Sequence, residues 1–384
     1  MTTYLDIHVL QTLPPNNINR DDTGAPKSAT FGGVPRQRVS SQAWKRAIRK
    51  DFDNYLDPTK RGFRTKKVVE KIMGRIQELR AEQSSSENFT DDELDTMSDT
   101  VVEILKKAGI STEKQPKSKS ATEDEETTDY PETSYLLFLS DQQITNVASR
   151  ILADTDENWT KKTASELLNV QHSVDIAMFG RMVAEAADYN VDAAVQVAHA
   201  IGVSASEPEF DYFTAVDDFV EASEETGAGM IGTVQMTSST LYRFATVNMK
   251  GLEKNLGDRE VTLEAAVAFV KAFLTSLPSG KQNTFANNTL PEAVLIRVRT
   301  DRSISLVNAF EDPVPLEIEG GRRLEAARKL VAEARSIDDM YDMSPEGSWF
   351  MSTSDLADTF QDIGQHVNQT ELLAQLKDQL EQLV

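Results

Sequence analysis

The sequence predicts an α+β fold, a sheet domain interrupted by a large helical insertion. Strand periodicity marks both ends of the chain, helical periodicity fills the middle, and turn formers punctuate the joins.

Near the N-terminus Leu5, Ile7 and Val9 alternate with Asp6 and His8, which predicts a strand over 3–11 with one buried face. Pro14 to Asn17, Asp21 to Gly24, and Gly32-Gly33 before Pro35 are turn formers, so 13–39 is expected to be a long loop. Loops of that length inside compact domains usually carry function or are disordered. Ser40 and Ser41 can cap a helix through Trp44 to about Phe52. Further helices are expected at 64–82, 91–108, 141–153, 163–170 and 191–201. Residues 111–134 are polar and charged around Glu123-Asp124-Glu125-Glu126 and read as a disordered insertion. From 231 the period returns to two, with Leu241, Ala245 and Val247 on one face and Tyr242 and Phe244 on the other. A helix over 262–277 carries one apolar stripe, and Val294, Ile296 and Val298 mark another strand. Leu373, Leu376, Leu380 and Leu383 follow a/d spacing over too few heptads for a coiled coil.

The chain of 384 residues has no cysteine, which excludes disulfides, thiolate metal sites and cysteine nucleophiles. It has neither a signal-like start nor a run long and apolar enough for a membrane helix, so a cytoplasmic protein with no membrane partner is expected. A net charge of −22 argues against a nucleic-acid partner until its distribution is read. Residues 1–50 hold eight Lys/Arg against three acids, whereas the remainder holds 32 basic and 59 acidic groups. Such asymmetry confines a polyanion to one strip.

On a helical wheel Gln42, Lys45, Arg46 and Arg49 share an arc of about 100°, with Trp44, Ala47, Ile48 and Phe52 opposite. Cations at that spacing grip successive phosphates. An exposed salt-bridging face is the alternative, but 36–50 contain no acid. Gly227-Ala228-Gly229-Met230-Ile231-Gly232 matches a dinucleotide fingerprint literally, yet it follows an acidic stretch and precedes a strand-like run, so a turn or hinge is expected. His8, His172, His199 and His366 fall in no metal-ligand pattern, and no cofactor, nucleophile elbow or phosphate loop is expected. Asp21-Asp22 could hold Mg²⁺, although adjacent acids in loops more often cap turns.

Asn19-Arg20-Asp21-Asp22, Phe31-Gly32-Gly33 and Arg38 to Arg46 closely resemble the N-terminus of the CasC family, the backbone subunit of the type I-E CRISPR complex Cascade. Val174 to Met182, Phe213 to Asp218, Ser238 to Phe244, Gly280 to Phe285 and Asn308 to Glu311 match in the same order. The resemblance implies an RRM-like palm in two parts, 1–58 and 237–384, a helical fingers insertion at 59–197 and a thumb hairpin at 206–236. It implies that Arg20, Lys27, Ser40, Gln42, Lys45, Arg46 and Arg49 track an RNA backbone, and that Met182 and Phe213 flank a kinked nucleotide. Among the hairpin aromatics, Phe210, Tyr212 and Phe219 are expected in a small core and Phe213 against a base. The implied partners are crRNA, other copies of the chain, other Cascade subunits, target DNA through the guide, and a recruited helicase-nuclease. A non-enzymatic scaffold is expected. The alternatives are a metal-dependent ribonuclease using Asp21 or Asp22, and a general single-strand RNA-binding protein.

Overall fold

The computed structural model describes residues 2–82, 89–113, 130–153, 158–215 and 230–383. From the N-terminus come β1 (Tyr4–Asn16), the hairpin β2 (Ser28–Phe31) and β3 (Val34–Val39), and α1 (Ser41–Asp51). Next are β4 (Gly62–Thr65), α2 (Val68–Glu82), α3 (Asp91–Lys107), the short pair β5 (Thr112–Glu113) and β6 (Glu132–Thr133), and β7 (Leu137–Ser140). Helices α4 (Asp141–Ala153), α5 (Lys161–Leu168) and α6 (Val174–Phe179) follow, then β8 (Val195–Val197), β9 (Ala200–Gly202), β10 (Glu209–Ala215) and the long β11 (Met230–Asn248). The chain closes with α7 (Met249–Leu256), α8 (Arg259–Thr275), α9 (Gln282–Phe285), β12 (Ala293–Arg299), α10 (Gly321–Tyr341), β13 (Gly347–Ser352), α11 (Ala357–Phe360), β14 (Gln365–His366) and α12 (Gln369–Leu383). The fold is α+β, as expected.

Two compact units result. Unit 1 is Met1–Tyr55, Val195–Lys250 and Leu263–Val384; unit 2 is Leu56–Ala194 with Gly251–Thr262.

Unit 1 is organised by a sheet in the order β14-β13-β12-β1-β11-β9-β3-β2, with β8 and β10 also paired to β11. β1 lies antiparallel between β11 and β12, with Ile7 opposite both Ala245 and Ile296. Both faces of β1 are buried, and this corrects the expectation of a single buried face. Asp6 and His8 are buried because α10 covers their side. There Leu330, Val331 and Ala334 of α10 pack with Tyr242, Phe244, Leu295 and Phe350. On that side His8 Nδ1 meets the Tyr242 hydroxyl at 2.9 Å, and Asp6 accepts from the Ile304 amide at 2.8 Å. Burial, reinforced by Arg297 and Arg299, holds the His8 imidazole well below its usual pKa.

Three further expectations change. The loop at 13–39 contains the end of β1 and the β2–β3 hairpin, whose Gly32 sits against the Glu311 carbonyl where any Cβ would collide at 1.6 Å. Arg36, buried behind it, donates to the carbonyls of Phe31, Gly202 and Phe310. Residues 191–201 form no helix: Val195 and Val197 pair with β11, and tertiary pairing overrides a helical pattern in so short a run. In α12 the buried stripe is Leu372, Leu376 and Leu380, set by i, i+4 spacing.

Unit 2 buries Val69, Ile72 and Ile76 of α2 against Val101, Ile104 and Leu105 of α3 and Ile144, Val147 and Ile151 of α4. Helix α3 opens with a capping box in which Thr90 and Glu93 satisfy each other's amides. Thr112 pairs with Thr133, so the ends of the segment expected to be disordered form a ladder; its centre, 114–129, lies outside the described residues. Phe219 and the first three residues of the glycine motif, 227–229, also lie outside them.

Candidate nucleic-acid interface

Helix α1 forms as its sequence dictates. Ser40 is the N-cap, its hydroxyl accepting from the Ala43 amide at 3.3 Å, while its own amide donates to Asn19 Oδ1 at 2.8 Å. Trp44 and Ile48 are buried, and basic Arg49 and Lys50 close the last turn, where they complement the helix dipole. Ser40 is buried and serves first to fix the start of the helix.

The outward arc resolves into two stripes. Arg46 and Lys50, with Ala43 and Ala47 between them, line an open groove; Gln42, Lys45 and Arg49 lie outside its lining. Ala47, expected on the core side, is therefore a groove residue. Lys45 and Arg49 are half-buried where full exposure was expected, and burial lowers the Lys45 pKa.

The second wall is the loop 17–27. Asn17 Nδ2 ties it to the carbonyls of Gly24 at 3.0 Å and Gln235 at 2.9 Å. Asp21 Oδ1 accepts from Thr23 N, Thr23 Oγ1 and Ala25 N, and these bonds, with the Thr23 hydroxyl first, hold its carboxyl below the usual range. Asp21 is thus a turn organiser that presents Arg20, which is exposed and lines the groove. Lys27 is half-buried where its amide donates to the Asn19 carbonyl.

The third wall is the segment 275–288, of which the sequence matched Gly280 to Phe285 as a family block but assigned no site residue. Gly280 lies so close to Ile18 that a Cβ would stand 2.1 Å from its carbonyl oxygen. Only glycine permits this approach, and it brings Lys281 into the groove. Lys281 and Ala286 bracket α9 in left-handed backbone, at φ 51° and 47°. Such strain persists only where the surroundings hold it. Arg20, Arg46, Lys50 and Lys281 thus converge on one channel, which Asp21, Asp22 and Asp51 also line, and among the described residues none of the four cations is in an ion pair.

Beneath α1, Arg243 of β11 is buried. Its guanidinium lies 3.7 Å from the Trp44 ring centre and 4.4 Å from that of Phe273, and it donates to Gln11 Oε1 at 2.6 Å and to the Phe273 carbonyl. Burial pushes its pKa down to about 9.

Met182, in unit 2, is 84% exposed. It follows Arg181, which is buried and donates to the carbonyls of Tyr189 and Phe138 and to Asn169 Oδ1, with its pKa pushed down to about 10 by burial. Phe213, in unit 1, is 43% exposed on β10 opposite Gly232, with its ring over that glycine. Phe210 and Tyr212, expected in a hairpin core, are 61% and 74% exposed on the other face of the strand. A two-stranded hairpin has no third layer to cover them.

Among the described residues no group of three or more His, Cys, Asp or Glu is arranged to hold a metal ion. His8 bonds Tyr242, His172 meets Gln143, His199 meets Arg38, and His366 stacks on Phe350.

Comparison with known proteins gives a consistent assignment. No curated protein sequence is significantly similar. A chain of a solved structure described as "CRISPR RNA-guided surveillance complex, pre-nicking" is 32% identical, with a TM-score of 0.78, over 97% of this chain and all of that one. A chain of a second "CRISPR RNA-guided surveillance complex" is 27% identical, with a TM-score of 0.67, over 97% of this chain and 99% of the other. The model of the CT1975-like protein family matches residues 5–379, so the chain belongs to that CasC-like family.

Proposed function

We propose that this chain is a crRNA-binding backbone subunit of a type I-E Cascade complex, which polymerises with other copies of itself along the guide and presents it for pairing with target DNA. The observation that carries the reading is the groove of unit 1, where Arg20, Arg46, Lys50 and Lys281 line one open channel in a chain of net charge −22. A polyanion is drawn to that strip and repelled elsewhere. Cations that grip phosphates leave base edges unread, which suits a subunit that must accept any guide. The similarity to chains of RNA-guided surveillance complexes supports guide RNA as the ligand. In this reading the sheet is an RRM-like palm, 59–197 the fingers and 206–236 the thumb, with Met182 and Phe213 against a kinked nucleotide. The subunit is not an enzyme: other Cascade subunits complete the cytoplasmic complex, and a recruited helicase-nuclease cuts.

A salt titration of single-stranded guide RNA tests this reading. Arg46→Glu/Lys50→Glu/Lys281→Glu lowers the affinity and reduces the slope of log K against log salt by about 2, at about 0.7 per lost phosphate contact. An unchanged slope removes the groove as the RNA site. With Mg²⁺ the purified protein leaves guide and target strands intact; cleavage abolished by Asp21→Asn would make it a nuclease.

A further inference from the structure

Among the described residues Met182 is the most exposed large apolar side chain, and it stands between two buried residues, Arg181 and Val183. A lone exposed methionine needs no explanation by itself. One whose backbone is fastened on both sides does. A methionine side chain is unbranched with three rotatable bonds, so the place its sulfur reaches is set by where the backbone is held.

The loop 181–191 supplies that hold. Its base is closed by a backbone pair, in which the Arg181 amide donates to the Val191 carbonyl at 3.0 Å and the Val191 amide donates to the Arg181 carbonyl at 2.8 Å. The Arg181 side chain then reaches inward. Its guanidinium donates to the Tyr189 carbonyl at 2.8 Å, to the Phe138 carbonyl of β7 at 3.2 Å, and to Asn169 Oδ1, just past the end of α5, at 3.0 Å. Among the described residues no carboxylate pairs with it. A buried cation costs free energy unless other groups replace its water. Here carbonyl oxygens do so, and the fixed point they make lies one residue from Met182. On the other side the Val183 amide donates to Asn190 Oδ1 at 2.6 Å, and the Val183 side chain joins the core of unit 2 with Ala186 and Tyr189. The far part of the loop is tied down as well: Ser111 Oγ donates to Glu185 Oε2 at 2.7 Å, and Asn169 Nδ2 donates to the Asp188 carbonyl at 3.0 Å.

We infer that Arg181 and Asn190 are positioning residues for Met182, which hold the loop 181–191 so that the thioether meets one nucleotide of a bound strand at a set place. The inference rests on the RNA-binding reading, in which Met182 lies against a kinked nucleotide, and adds to it the parts that aim the side chain. A thioether makes favourable contacts with aromatic rings, and every base presents a π-face. A methionine in a fixed place therefore acts on any guide sequence alike. If its support were loose by about 1 Å, the same side chain would touch several neighbouring nucleotides and single out none. The competing role is a structural one, in which both residues hold unit 2 together and the place of Met182 does not depend on them.

The test uses full-length protein and guide RNA that carries the fluorescent base 2-aminopurine at each position in turn, a probe that brightens where a base is unstacked. Wild type gives bright positions at regular intervals. Met182→Ala removes that contrast and lowers the affinity by about two- to tenfold, the worth of a thioether–ring contact. Asn190→Ala and Arg181→Lys, each read well below its own melting temperature, spread the brightness over neighbouring positions. In both, the slope of log K against log salt keeps its wild-type value, because no phosphate contact is lost. The groove variant Arg46→Glu/Lys50→Glu/Lys281→Glu lowers that slope, so failure of the groove reading is seen separately. If Arg181→Lys does not fold, Asn190→Ala, at an exposed residue, decides the matter. Sharp contrast in the folded positioning variants, together with its loss in Met182→Ala, overturns the inference and leaves the RNA-binding reading standing. Unchanged contrast in Met182→Ala overturns both this inference and the place given to Met182.

Discussion

The two faces of the central sheet bury arginines in opposite ways. Under α10, Arg297 grips Asp338 through two bonds of 3.1 and 2.6 Å, and Arg299 shares the same carboxylate at 2.7 Å. Under α1, Arg243 has no carboxylate within ion-pair reach among the described residues; an amide oxygen, a backbone carbonyl and two aromatic rings receive it. The first arrangement bolts a helix to the sheet through paired charge. The second leaves a net positive charge behind the helix that lines the basic groove. Where a buried cation finds its partner decides whether it serves the fold alone or also contributes to the field that a ligand meets.

The contrast breaks if the two sites respond alike to mutation. Asp338→Ala strands the buried Arg297 guanidinium and removes one of the three carboxylates within 4 Å of Arg299, which keeps Asp6 and Asp301, and is expected to cost about 3–5 kcal/mol in denaturant unfolding. Arg243→Met keeps the volume between Trp44 and Phe273 and leaves the Gln11 and Phe273 acceptors unmet, so about 1–3 kcal/mol is expected. Equal losses would show that Arg243 depends on a paired charge after all.

The smallest effect sharpens the comparison through pH. His8 shares the α10 face with Arg297 and Arg299, and its folded pKa lies well below the ordinary value near 6.5. The unfolded chain therefore takes up a proton that the folded protein refuses. Stability from the neutral imidazole is present above about pH 6.5 and is lost as pH falls, by at most about 1.4 kcal/mol per pH unit. Asp6 on the same face is shifted upward by burial and acts with the opposite sign, losing stability as pH rises through its folded pKa. His8→Gln removes one contribution, so the acid limb of a stability–pH curve should flatten below pH 6.5. An unaltered limb would mean that the histidine titrates freely in the folded state.

Much of the candidate site was legible in the chain. The α1 cap, the buried Trp44 and Ile48, and the outward cations follow from local propensity and a 3.6-residue period, which depend on residues within a few positions of each other. The division of the arc into two stripes was not legible, because it depends on which neighbours stand beside the helix. Lys281 was illegible for the same reason: its place is set by Gly280 touching Ile18, across more than 250 residues of sequence.

The sequence by itself determined the α+β class, the long strands, most helices, the concentration of positive charge in the first 50 residues and the family. Tertiary structure alone decided that Asp6, His8, Arg243, Arg297 and Arg299, which alternate with apolar residues as solvent-facing groups would, are buried. Alternation records which side of a strand a residue occupies. Whether that side meets water or a helix depends on a segment distant in sequence: α10 on one face, α1 and α8 on the other.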